Sequence, residues 1–219
     1  MFRSFFPRSF RRFSAIDLWN EATKNIIGGC GLLSKRPTRY LSRKWPSYAL
    51  KSKGISIYSW DGDTYLDFTE FSIGCCLLGY NPTSHKSILR YHRSISPLTS
   101  LLTPFEPLLA SKLNDFFSQD RVWRFCRGGG EVLAITARLA RTVALNSRIL
   151  VCGYHGTHDW YLSANLNANN SLSQVFLSGI SPAGLPDEYK NTTYSLSNLD
   201  PESLATEIQN IDPGVIIFE

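Results

Sequence analysis

Three consecutive glycines, Gly128, Gly129 and Gly130, stand in the stretch RFCRGGGEVLAITARLAR, between a short apolar run and a helical pattern. Glycine at such a junction costs chain entropy and adds nothing to a core. What it offers is access. A helix N-terminus exposes unpaired backbone N–H groups and a partial positive charge, and glycines let an anion approach them closely. A second stretch, CGYHGTHDWYLSANL, puts Tyr154 and His155 just beyond another apolar run. An aromatic ring there can stack on a flat ligand whose phosphate the glycines hold; the plain alternative is a core aromatic beside loop polar residues. His155, His158 and Asp159 have neither the spacing nor the setting of a zinc helix, so no metal site is expected.

Three kinds of phosphate ligand compete for the glycines. A P-loop needs Gly-Lys-Ser/Thr, but Glu131-Val132 follows. A dinucleotide fingerprint needs a third spaced glycine; counted from Gly128, that position is Leu133. The acid such a site requires is also missing at the next strand end, which reads Val151-Cys152-Gly153-Tyr154. A single phosphate group remains, beside the alternative of a tight turn that holds no ligand.

The elements that must position these residues follow from hydrophobic spacing. Ser14 with Asp17 reads as a capping box opening a helix with Leu18, Trp19, Ala22, Ile26 and Ile27 on one face, ended by Gly28-Gly29. The stretch from there to about residue 53 reads as irregular and basic. Ile55–Trp60 and Thr64–Phe68 read as a hairpin across Asp61-Gly62-Asp63. Gly74–Leu78 is small and apolar, and Gly79-Tyr80-Asn81-Pro82 turns out of it. Residues 106–117 have helical spacing. Then the pattern alternates: strand at Val122–Cys126, helix at Glu131–Ala144, strand at Arg148–Cys152, mostly loop over 153–200, a capped helix at Asp200-Pro201-Glu202, and strand at Val215–Phe218. This order predicts an α/β fold with a parallel sheet wrapped by helices. A fully apolar last strand should be covered on both faces and followed by another connection. The sequence is therefore read as ending inside a domain.

The 219 residues suffice for one domain or slightly more, and 43% hydrophobic with 19% charged residues is ordinary for a globular chain. The net charge of +5 sits largely in Arg3, Arg8, Arg11 and Arg12, so no nucleic-acid footprint is expected. Residues 1–14 are read as a loose N-terminal extension rather than a targeting presequence, and the Arg and Pro in it exclude a membrane span. Cys30, Cys75, Cys76, Cys126 and Cys152 include no CxxC pair, which suits a reducing cytoplasm without disulfides or zinc.

With these motifs in order, the chain resembles the N-terminal half of class III aminotransferases, most closely the glutamate-1-semialdehyde 2,1-aminomutase-like branch. LWNEATKNIIGG is similar to the family's opening helix, YSWDGDTYLDF to its D-G-x-x-Y-x-D hairpin, and LLGYNP to its L-G-H/Y-x-H-P turn. RFCRGGGEVLAITARLAR and GYHGTHDW are similar to the family's phosphate turn and its YHG-x-x-D segment. The resemblance implies a fold type I transferase, pyridoxal 5'-phosphate as cofactor, a small amino or keto substrate and a homodimer. Its domains would be residues 15–95 as helix, hairpin and small-domain segment, and residues 96–219 as the first part of the large cofactor-binding α/β domain. It implies that Gly129 and Gly130, with Gly128 in the same turn, present amides to the cofactor phosphate. It further implies that Tyr154 stacks on the pyridine ring with His155 alongside, and that Glu131 supports the helix start.

Some positions depart from the family pattern. All three turn positions are glycine, so a hydroxyl donor common there is missing, a loss of about 0.5–1.5 kcal/mol of binding by analogy with one hydrogen bond. Ile73 stands where the aminomutases carry tryptophan, and Arg127 replaces a small polar residue. The family's Schiff-base lysine and the acid that pairs with the pyridinium lie downstream of the strand matching GVIIFE, and no lysine here matches that position. The resemblance therefore implies no catalytic residue within this chain, and inactivity of the chain alone; the alternative is a non-catalytic remnant or partner subunit that lacks the Schiff-base lysine.

Overall fold

The structure is a computed structural model that describes residues 2–37, 48–69, 76–95, 100–167, 172, 181–196 and 200–219. Ile73, Gly74 and Cys75 lie outside the described residues. The chain divides into two compact units, Met1–Leu102 and Thr103–Glu219.

In the first unit, helix α1 (Ala15–Asn25) starts at a reciprocal cap. The Ser14 amide donates to Asp17 Oδ2 at 2.9 Å, and the Asp17 amide returns a bond to Ser14 Oγ at 3.3 Å. The helix is shorter than its apolar spacing suggests: Ile26 and Ile27 fall outside it and are exposed. The chain turns extended at Ile26, with φ −125° and ψ 125°, and at Gly29 it lies close to the Trp19 ring, which a side chain there would meet at 2.5 Å.

Three antiparallel strands follow: β1 (Ala49–Lys53), β2 (Ser56–Ser59) and β3 (Thr64–Leu66), in the order β1-β2-β3. The expected hairpin is β2-β3, with shorter strands, closed by the Ser59 amide on the Asp63 carbonyl at 2.8 Å. Strand β1 was not expected. Its sequence ALKSK lacks β-branched residues, and it forms because β2 supplies a ladder partner. Helix α2 (His85–Ile95), also unexpected, buries no side chain.

A buried carboxylate ties this unit together. Asp67 accepts from the Thr69 amide at 2.7 Å, from Thr69 Oγ1 and from the Tyr80 hydroxyl. Burial pushes the Asp67 carboxyl up, but these donors outweigh it and hold it below its ordinary value. A carboxyl lowered in the folded state lends stability above its unfolded pKa and withdraws it as pH falls through the folded one. Acid unfolding, followed by tryptophan fluorescence, is therefore expected to set in below the ordinary carboxylate range. Asp67→Asn should flatten that acid limb, and an unchanged limb would exclude Asp67 from the transition.

The second unit begins with helix α3 (Phe105–Phe117). The expected strand at Val122–Cys126 is not one: residues 121–126 pair with no described strand, and Val122 is fully exposed. An apolar run becomes a strand only where a neighbour completes its ladder. Helix α4 spans Gly129–Ala144, two residues earlier than expected, with Gly128 as N-cap. The glycines are thus its cap and first turn, not a loop before it.

Strand β4 (Ile149–Cys152) is buried along its whole length and is the centre of a three-stranded parallel sheet. Its neighbours are β5 (Thr193–Ser195) and β6 (Val215–Phe218). Helix α5 (Asp159–Leu162) follows β4, and helix α6 (Pro201–Ile211) precedes β6. Asp200 caps α6 as expected, its Oδ1 accepting from the Glu202 and Ser203 amides at 3.1 and 2.9 Å. Leu150, Cys152, Leu196 and Ile211 form a core cluster with Tyr194, Leu204 and Ile208 against it. Strand β6 has one bare face, on which Ile216 and Phe218 are exposed. Strand β5, read as loop, is short and polar; Thr193 is buried by donating its hydroxyl to the Trp160 carbonyl at 2.6 Å.

Candidate functional site

At the start of α4 no side chain caps the helix, and the first helical bond runs from the Val132 amide to the Gly128 carbonyl. The amides of Gly129, Gly130 and Glu131 precede that bond and are the orphan donors of the first turn. Gly128 and Gly129 are exposed, and a side chain at either would meet open space. Glu131 reaches back along the chain, where its Oε2 accepts from the Arg127 amide at 3.0 Å.

The second half of the site is the carboxyl end of β4. Gly153 and Gly156 both have positive φ, 90° and 100°, and fold the chain sharply there. Neither has room for a side chain. At Gly153 a Cβ would lie 2.9 Å from the Glu219 Cβ; at Gly156 it would lie 3.3 Å from the Gly130 Cα. The second contact brings the two candidate loops together. The glycine turn and the Tyr154–His158 loop meet at one end of the sheet, where ligands of open α/β folds bind.

Tyr154 is 45% exposed, so it is not a core aromatic; its ring lies edge-on to Tyr161 at 6.3 Å. Its amide donates to Glu219 Oε2 at 3.3 Å, while the Glu219 amide continues the β6 ladder onto the Cys152 carbonyl at 3.2 Å. His155 is 5% exposed, and its Nε2 donates to the Cys152 carbonyl at 2.7 Å. A carbonyl only accepts, so Nε2 carries the proton. His155 holds the strand end in shape, and sequence reading, which had it as a loop polar residue or beside a ring, did not separate that task from ligand contact.

Sequence reading missed Tyr161. It is wholly buried beside the loop that leaves β4, its hydroxyl donating to the Gly153 carbonyl at 2.7 Å. Burial, first among the causes, pushes this phenol up to about 12. Burial likewise pushes the Cys152 thiol up, which makes it a structural thiol rather than a nucleophile. The only signal for Tyr161 was its place in the apolar triplet WYL. Among the described residues no cluster of His, Cys, Asp or Glu could hold a metal ion, and no helix is long and apolar enough to cross a membrane.

The arrangement suits one anionic group of phosphate size: uncapped amides, open space at the turn, and an exposed ring one loop away. It offers no third glycine or ribose-binding acid for a dinucleotide.

Comparison with known proteins gives the same direction. No family model matches the chain. A glutamate-1-semialdehyde 2,1-aminomutase from Saccharolobus islandicus is 25% identical over 205 residues, which are 93% of this chain and 46% of that protein. A 2'-deamino-2'-hydroxyneamine transaminase from Streptomyces kanamyceticus is 31% identical over 148 residues, 67% of this chain and 37% of the relative. In fold, a solved transaminase with PLP bound superposes with a TM-score of 0.70 at 20% identity, over 92% of this chain and 46% of the other. The chain spans about half the length of the curated relatives it matches. In sequence and in fold it resembles the N-terminal half of the fold type I, class III aminotransferases, in their glutamate-1-semialdehyde 2,1-aminomutase-like branch.

Proposed function

We propose that this chain is the phosphate-gripping half of a pyridoxal-phosphate-dependent aminotransferase or aminomutase, acting on a small amino or keto substrate. The observation that carries the reading is the meeting of the uncapped α4 turn with the loop that presents Tyr154. When bound, the cofactor supplies the electron sink for moving an amino group. The chain's own residues bind and orient. The amides of Gly129 and Gly130, with Gly128 opening the turn, donate to the phosphate, where the helix dipole also favours negative charge. Tyr154 covers one face of the ring. His155, through the Cys152 carbonyl, fixes the loop that carries Tyr154. The proton-transferring lysine and the acid facing the ring nitrogen belong to the half of the relatives that these residues do not match. Pairing of two copies, a cytoplasmic setting and inactivity of these 219 residues alone follow the same reading.

Pyridoxamine 5'-phosphate is the suitable probe, because it carries the phosphate and the ring but no aldehyde to react with surface lysines. Calorimetric titration of the full chain should show saturable binding that inorganic phosphate competes away. Tyr154→Leu should weaken it about threefold to tenfold, the worth of an aromatic stack. Absence of saturable binding would remove the proposal.

A further inference from the structure

Gly130 is glycine for a reason that backbone access alone does not supply. Its φ is not in the left-handed region, so no conformational demand excludes a side chain. What a side chain there would meet is the imidazole of His158. A Cβ on Gly130 would lie 2.5 Å from His158 Nδ1 and would also overlap Cε1. The ring of His158 thus fills the place where a side chain of the turn itself would stand.

The three turn positions carry no side-chain donor, and His158 brings a ring nitrogen to the same spot from the opposite loop. The imidazole is exposed, and it makes no hydrogen bond among the described residues. Its backbone does a separate job: the His158 carbonyl accepts from the Tyr161 and Leu162 amides at 2.9 and 3.0 Å and starts α5. That cap does not need the side chain, so the ring can be altered without unmaking the helix.

We propose that His158 is a phosphate-binding residue of this site, donating a ring N–H to the anionic group held at the α4 amides and replacing the hydroxyl that the turn lacks. The inference rests on the cofactor reading above. It adds that recognition of the phosphate is shared between two loops, so that closing the loops together and gripping the phosphate are one event.

The test compares pyridoxamine 5'-phosphate with pyridoxamine, which differs only by the phosphate. His158→Ala should weaken binding of the phosphorylated probe about tenfold, the scale of one charge-assisted hydrogen bond. Pyridoxamine binding should not change. His158→Asn, which keeps a donor, should recover part of the affinity, and near-ultraviolet circular dichroism of both variants should match the parent chain. Equal binding of the phosphorylated probe by parent and His158→Ala would overturn the inference and leave the cofactor reading standing. Equal weakening toward both probes would reduce His158 to packing. Failure of the parent chain to bind the phosphorylated probe would end both readings.

Discussion

Tyr161→Ala is expected to lower the stability of the second unit by about 3–5 kcal/mol, the usual cost of emptying a fully buried aromatic site. Natural domains hold only about 5–15 kcal/mol in all, so the variant should unfold early in urea or not accumulate. The size of the effect follows from position. Tyr161 has no exposed surface, and its ring edge-packs against His155 at 5.8 Å, Trp160 at 5.8 Å and Tyr154 at 6.3 Å. Tyr161→Phe separates packing from hydrogen bonding. It keeps the ring but removes the bond to the Gly153 carbonyl, and should cost about 1 kcal/mol. The pH response gives a further check. A phenol raised in the folded state keeps its contribution below its unfolded value and loses it as pH rises through about 12. The Phe variant should therefore show a shallower alkaline limb. Urea midpoints of Ala and parent that coincide would mean that the ring does not support the strand end.

Gly156→Val should abolish binding of pyridoxamine 5'-phosphate while sparing the sheet. The residue has φ 100°, a conformation that a β-branched side chain adopts only under strain of about 1–3 kcal/mol. It also has nowhere to put a Cβ, since the Gly130 Cα backbone would be 3.3 Å away and cannot swing aside as a flexible side chain would. Relief comes by moving the Tyr154–His158 loop away from the α4 turn. Affinity should then fall by more than about a hundredfold, because ring contact and loop-borne donor are lost together. Gly156→Ala should lie between the two. A Val variant that binds the probe as the parent does would show that the two loops act separately. Calorimetry reports the affinity, and far-ultraviolet circular dichroism reports whether the fold survives.

The departures from sequence expectation share one cause. Val122–Cys126 and Ala49–Lys53 were misread in opposite directions, the first as strand and the second as irregular. In both cases the deciding quantity was whether a partner strand completes the ladder, which residue type does not report: Ala49–Lys53 has one in the adjacent β2, and Val122–Cys126 has none among the described residues. Strand β5 escaped notice for the same reason, its polar residues being buried by hydrogen bonds to Trp160 and Asn167. The α4 boundary moved because glycines that look like a loop also make a permissive first helical turn.

What the sequence determined unaided is what short-range chemistry encodes. The Ser14–Asp17 box, the Asp200 cap before Pro201 and the turn at Asp61-Gly62-Asp63 all depend on neighbours within a few residues. The same short-range logic marked Gly128–Gly130 and Tyr154 as unusual. Only the tertiary structure decided that Gly156 abuts Gly130, that His155 is spent on the Cys152 carbonyl, and that the His158 ring takes the side-chain space of the turn. The two contacts at Gly130 join segments some 25 residues apart by sequence number, the first turn of α4 and the loop after β4, which no local pattern reports.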